Sequence, residues 1–331
     1  MTPSDWKSLA ALALAAALLA SVGAPAANAQ PYPTKEVVRL IVPFVPGGGV
    51  DAVARVLQPL LTDALGQTVV IENRGGAGGA LGAAAVAKAA PDGYTLLLGT
   101  GSTHGTNSAV YPKLTYDPIS DFTPVVLVSS SPLLLVTGPD FPAKTAADLV
   151  AIDRAQPGKL NYGSFGTGSI NHLAGELFNA MAGIQANHIP YRGSAPAQTD
   201  LMAGRLQFMF SSGSALLSYF QANTMKLLGV AGEERWPVLP SYPTISESGV
   251  PGYEASVWYG LFAPANTPKP VVDLLNSKMN AVLAETKVAE SFSRFGIHAQ
   301  GGTPEALGRR VQTEIKKWAD LVREKNIRVD P

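Results

Sequence analysis

From Val37 onward, short apolar runs alternate with stretches whose apolar residues recur at helical spacing. That alternation predicts an α/β fold with largely parallel strands. Val37 to Pro43 predicts a buried strand, closed by a turn at Gly47-Gly48-Gly49. Behind it Val53, Val56, Leu57, Leu60 and Leu61 fall at i, i+3, i+4, i+7 and i+8, one apolar face of a helix. Pro59 lies inside that pattern and is expected to kink the helix, because it removes a backbone donor. Thr68 to Glu72 predicts a second strand, Ala80 to Ala89 an Ala-rich helix and Tyr94 to Leu98 a third strand.

Two later stretches predict crossings between domains. Val125 to Val128 and Leu133 to Val136 form a strand broken at Ser129-Ser130-Ser131-Pro132, and Val257 to Ala263 runs into Pro264-Ala265-Asn266-Thr267-Pro268. The block between them has its own strand–helix alternation, including Leu160-Asn161-Tyr162 and Gln207 to Phe210. The expected layout is one domain (residues 30–131 and 258–331) interrupted by a second (132–257), with the two crossing strands as the hinge. Thr267 and Thr303 each precede a proline, the pattern of an N-cap followed by proline at the first helical position. Leu307, Val311, Ile315, Trp318 and Val322 make the apolar stripe of the last helix.

The first 29 residues follow other rules. Lys7 precedes an Ala/Leu run from Leu9 to Ala20, too short to span a bilayer, and Ala27-Asn28-Ala29 closes it with a small-x-small cleavage signal. This predicts a secretory leader cut after Ala29, and hence a periplasmic protein if the source has an outer membrane. The 25 Lys+Arg balance 25 Asp+Glu, which argues against a nucleic-acid partner and against long-range steering of an anion. The absence of cysteine excludes disulfides, thiolate chemistry and the usual zinc sites. No two His stand at i, i+4, so no metal is expected.

The candidate chemistry sits in four loops that each join a strand to a helix start: PFVPGGGVD (43–51), GTGSTHGTN (99–107), GSFGTGSINH (163–172) and SSGS (211–214). A helix N-terminus presents unpaired N–H groups and partial positive charge, so such loops suit a carboxylate or phosphate. Two of them facing one another would grip an acid without any arginine, although each also reads as an ordinary strand–helix turn. Asp51 fits a helix cap better than an acceptor at a cleft. Arg74 and Arg192 are possible partners of a ligand carboxylate. The aromatics Phe44, Phe165, Tyr191, Trp258 and Tyr259 serve either the core or the wall of a pocket.

Two enzyme readings compete poorly. RGGAGGALG (74–82) follows a strand but breaks the G-x-G-x-x-G spacing at Leu81, and no acid follows for a ribose. Gly101-Ser102-Thr103-His104-Gly105 has the spacing of a nucleophile elbow with Thr in place of Ser, which leaves an exported hydrolase as the alternative to a binder.

Taken together, these stretches resemble the Bug family, the extracytoplasmic solute receptors of tripartite tricarboxylate transporters. Besides the loops above, the resemblance rests on ENRGGAGG (72–79), PDGYTLLLG (91–99), IPYRGSAPAQTDLMAGRLQFMF (189–210), the stretch from Pro240 to Gly249 and WYGLFAPANTPKPVVDLLN (258–276). It implies a two-domain periplasmic-binding-protein fold of type II-like form. The domains would be joined by two crossing strands and would close on a small carboxylate. No enzyme activity and no cofactor are implied; the partners would be the permease subunits of the transporter, and the receptor a monomer. Carried over by position, the ligand residues would be Phe44, Gly48, Gly49 and Asp51 on the first loop, with Ser102 and Asn107 on another. Ser164, Gly166, Thr167, Gly168, Ser169 and His172 would face them from the second domain. Tyr191, beside these loops, completes the expected set. Val50 departs from the family, where Ser or Thr is frequent; loss of that hydroxyl points to a more apolar wall, suited to an aromatic acid or monoacid over citrate. Transport and signalling would use the same cleft.

Overall fold

The computed structural model of the protein describes residues 32–34, 37–294 and 296–324; the expected leader lies outside the described residues. The first lobe opens with β1 (Val38–Val42), α1 (Gly49–Leu65), β2 (Val69–Asn73), α2 (Ala80–Ala87) and β3 (Thr95–Thr100). β1 pairs in parallel with both β2 and β3. A wide turn over Ser102–Thr106 and the single-turn helix α3 (Asn107–Val110) lead into the long strand β4 (Phe122–Thr137). The second lobe follows: α4 (Ala146–Ala155), β5 (Asn161–Ser164), α5 (Ile170–Ala182), β6 (Asn187–Pro190), α6 (Ser194–Met202), β7 (Phe208–Ser212), α7 (Gly213–Gln221) and β8 (Lys226–Ala231). The chain returns by β9 (Ser256–Pro264) and ends in the first lobe with α8 (Lys269–Leu283), α9 (Thr286–Arg294), β10 (His298–Ala299) and α10 (Pro304–Glu324).

β4 belongs to both sheets. Its first part pairs antiparallel with β9 and β10, and from Leu133 onward it pairs with β7 and β8. The break expected at Ser129–Pro132 is therefore not a break but the transfer of one continuous strand between sheets. Pro132 stands at the transfer point, the last residue paired with β9, where a missing N–H does least harm. Two bulges, between Pro124 and Val126 and between Leu127 and Ser129, keep the register with β9 as the strand bends. The return crossing is equally tight: Ala255 donates to Ala231 O at 2.9 Å and accepts from Leu133 N at 3.0 Å.

Both sheets are covered on both faces at their centres, which explains why the central strands are apolar and do not alternate. In the first sheet Leu40, Val42, Leu96 and Leu98 face the packed side of α1 (Val53, Leu57, Leu61). Ile41, Leu97 and Phe262 turn the other way, onto Ala83, Val86, Leu307 and Val311. In the second sheet Leu133, Leu135, Phe208 and Phe210 join the first cluster, while Leu134, Val136 and Met209 pack with Leu201, Leu216 and Trp236. α1 runs unbroken past Pro59, which is exposed. Thr303 does cap α10, accepting from Ala306 N at 3.3 Å. Thr267 does not cap α8: its hydroxyl turns back to Pro264 O at 2.8 Å, and Pro268 takes the N-cap position.

Candidate functional site

The carboxyl ends of β1, β3, β5 and β7 all empty into one cleft, as expected where ligands bind in α/β sheets. The lobes stand close across it, leaving a cavity of about 30 Å³ between the lining side chains. The first lobe supplies Phe44, Gly48, Gly49, Val50, Thr100 and Ser102; the crossing strands supply Leu133, Val257 and Tyr259. The second lobe supplies Phe165, Ile170, Asn171, Ser194 and Ser212. Among the described residues no charged side chain lines the cleft, so an anion there would be held by neutral donors.

Four helices begin at its wall. α1 starts with Gly48 as N-cap, α6 with Gly193 and α7 with Ser212, and in none of the three does a side chain cap the first turn. α5 differs: Ser169 Oγ accepts from His172 N at 3.2 Å, and Ser102 Oγ, from the other lobe, accepts from Ile170 N at 2.9 Å. The glycines of α1 let the second lobe come close. A Cβ on Gly48 would stand 2.8 Å from Ser194 Oγ. One on Gly49 would stand 2.1 Å from Ser212 Oγ, 2.6 Å from Ser214 Oγ and 2.8 Å from the Tyr259 hydroxyl. Burial pushes Tyr259 up to about 12, so its hydroxyl stays neutral.

Of the residues expected at the ligand, Phe44, Gly48, Gly49 and Ser102 line the cleft and the others do not. Asp51 is neither cap nor cleft acceptor. As the third residue of α1 it reaches back to Gly47 N at 3.0 Å and binds Arg55 Nε at 2.8 Å and Asn73 Nδ2 at 3.0 Å. Burial alone would raise its carboxyl, but these hydrogen bonds outweigh it and hold the group below the usual carboxylate range. Asn73 also donates to Phe44 O at 3.0 Å, so Asp51 braces the turn that carries Phe44 and Gly48. Asn107 donates to Gly78 O and to the Tyr116 hydroxyl.

The second-lobe loop is likewise committed to itself and to the first lobe. Ser164 Oγ lies 2.6 Å from His188 Nε2 and accepts from Gly166 N at 3.2 Å. The Thr167 and Gly168 carbonyls accept from Tyr111 and Thr106 of the other lobe, at 2.7 and 2.6 Å. Positive φ at Gly166 (119°) and Gly168 (79°) makes the turn, and a Cβ on Gly168 would meet the Tyr111 ring at 2.7 Å. His172 accepts from Gly168 N at 3.2 Å and stacks on His188 with ring centres 3.8 Å apart. Burial pulls His172 down to about 3, with help from His188, which is itself pulled down to about 4. Tyr191 gives its hydroxyl to Asp200 at 2.6 Å. Arg74 is paired with Glu72 outside the cleft.

The hydrolase reading gains two hydroxyl–His contacts, Ser164–His188 and Thr103–His104 at 2.9 Å, but none of these four residues lines the cleft. Ser164 is fully buried and off the cleft, and the nearby Glu176 approaches His172, not His188. Thr103 of the elbow-like stretch is buried and donates to Thr100 O at 3.1 Å.

Ser194, Ser212 and Tyr259 were not among the expected ligand residues. The SSGS stretch marked Ser212 as a strand-to-helix turn, but α6 follows a short, polar strand, β6, whose residues give no apolar signal.

The sequence pattern of the tripartite tricarboxylate transporter family receptor matches residues 53–327. The chain belongs to this family. It is a solute-binding receptor and not an enzyme, and its family is one of periplasmic receptors. Protein BugT of Bordetella pertussis is 37% identical over 306 residues, 92% of this receptor and 93% of that protein. Among solved structures, Rpa4515 of R. palustris with adipate is 38% identical with a TM-score of 0.87, covering 89% of this receptor and 99% of that chain. MatC of Rhodopseudomonas palustris with bound malate is 36% identical with a TM-score of 0.83, covering 86% and 98%.

Proposed function

We propose that the receptor captures a small organic acid with an apolar body, holding its carboxylate on the uncapped first turns of α1, α6 and α7. The observation that carries this reading is the convergence of those three helix starts on a cleft that, among the described residues, no charged side chain lines. Their free N–H groups and partial positive charge favour a carboxylate through neutral donors alone. Phe44, Val50, Phe165 and Val257 surround the rest of the ligand, and Val50 offers no hydroxyl to a further acid group. An aromatic acid, or a diacid with a methylene body like the adipate of Rpa4515, suits that wall better than citrate.

In this reading the domains are residues 30–131 with 258–331 and residues 132–257, which meet where β4 changes sheets and β9 returns. The leader is removed after Ala29, and the mature monomer delivers its ligand to the membrane subunits of a tripartite transporter. The test is a thermal-shift panel on mature protein that has been unfolded and refolded to strip carried-over ligand. Benzoate or adipate should raise the midpoint more than citrate does. A larger shift with citrate rejects the apolar-body reading; no shift with any acid rejects carboxylate capture.

A further inference from the structure

Among the polar side chains that line the cleft, Ser194 stands apart. Ser102 Oγ is used by Ile170 N, the Asn171 amide donates to Phe210 O, and Ser212 Oγ lies 3.0 Å from Ser214 Oγ. The Ser194 hydroxyl is buried, with the residue 2% exposed, and has no hydrogen-bond partner among the described residues. It is the first residue of α6, a helix whose opening turn no side chain caps, and it faces Gly48 at the start of α1. A buried hydroxyl left without a partner destabilises the protein that carries it, so its retention at the wall of a cleft points to a partner that arrives with the ligand.

We propose that Ser194 is a ligand-positioning residue, the group through which the second lobe takes hold of a carboxylate already resting on the first turn of α1. Its hydroxyl donates to a carboxylate oxygen beside Gly48, and the free amides of α6 face the same charge. A ligand bound this way gains a contact that exists only when the lobes are together, which is the condition for a ligand to favour the closed form. The assignment rests on the reading of the cleft as a carboxylate site.

Opposite signs on stability and affinity test it. Wild type and Ser194→Ala are compared by the ligand-free thermal midpoint and by titration with adipate, malate, benzoate and citrate. Removing an unsatisfied hydroxyl should leave the ligand-free midpoint level or raise it. The Kd for whichever of these acids wild type binds most tightly should rise about tenfold to a hundredfold, the worth of a hydrogen bond to a charged group. An unchanged Kd overturns the role of Ser194 and leaves the carboxylate reading intact. A weaker Kd with a lower ligand-free midpoint also overturns it, because that is the mark of a merely structural residue. Wild type that binds none of the four acids overturns both.

Discussion

The Tyr111 hydroxyl, carried by the first lobe, donates to the carbonyl of Thr167 in the second at 2.7 Å. Thr106 makes the same kind of bond to Gly168 O, and Ser102 accepts from Ile170 N, so among the described residues these three hydrogen bonds join the lobes beside the cleft. Each exists only with the lobes together and therefore adds to the closed form.

Tyr111→Phe removes one of these bonds and keeps the ring. At about 1 kcal/mol per hydrogen bond, ligand affinity should fall about fivefold. Small-angle scattering should show a larger mean radius of gyration for the ligand-free variant. Equal affinity and equal radius would remove Tyr111 from the closing contacts.

Gly49→Ala adds a methyl group where Ser212 Oγ, Ser214 Oγ and the Tyr259 hydroxyl all stand under 3.0 Å from the new atom. The backbone accepts it, since Gly49 does not adopt a positive φ, and within the first lobe it meets only the far end of the Tyr259 side chain. We expect a variant that folds, melts within a few degrees of wild type and binds acids at least about a hundredfold more weakly, because overpacking is relieved by keeping the lobes apart. Retention of wild-type affinity would show that the close approach of Gly49 to the second lobe is dispensable.

Val50→Thr tests the apolar wall. A hydroxyl there offers a donor to an additional acid group and leaves an unsatisfied polar atom against an aromatic ring. Citrate should gain on benzoate by several-fold in relative Kd; a ratio that stays fixed in calorimetric titrations would take specificity away from this position.

Acid should destabilise the fold in a defined window. Burial holds His104 and His172 near 3 and His188 near 4, against an ordinary value of about 6.5 for histidine in the unfolded chain. Between those limits the unfolded chain binds protons that the folded chain refuses, so unfolding free energy falls as pH drops from about 6.5 toward 4. Urea unfolding at pH 7 and pH 5 should show the loss, and His188→Gln should reduce it. An undiminished pH slope in that variant would assign the acid sensitivity to other groups.

The sequence by itself determined the α/β alternation and the strand-to-helix loops that could hold an acid. These rest on local rules: apolar runs bury as strands, helical spacing marks a packed face, and Gly and Ser turns open helices. It also marked Val50 as an unusual wall residue, because a single side chain carries that information. Other features needed tertiary structure. Ser129–Pro132 read as a break because polarity along a strand cannot reveal that the strand is changing sheets. Asp51 looked like a cap, and only the positions of Arg55, Gly47 and Asn73 show it bracing the turn instead. Which buried hydroxyls are used up inside the fold was also hidden. Ser164 and Ser194 look alike in sequence, yet among the described residues one is satisfied by His188 and the other by nothing. Hydrogen-bond satisfaction depends on neighbours brought together from distant parts of the chain, and no local pattern encodes it.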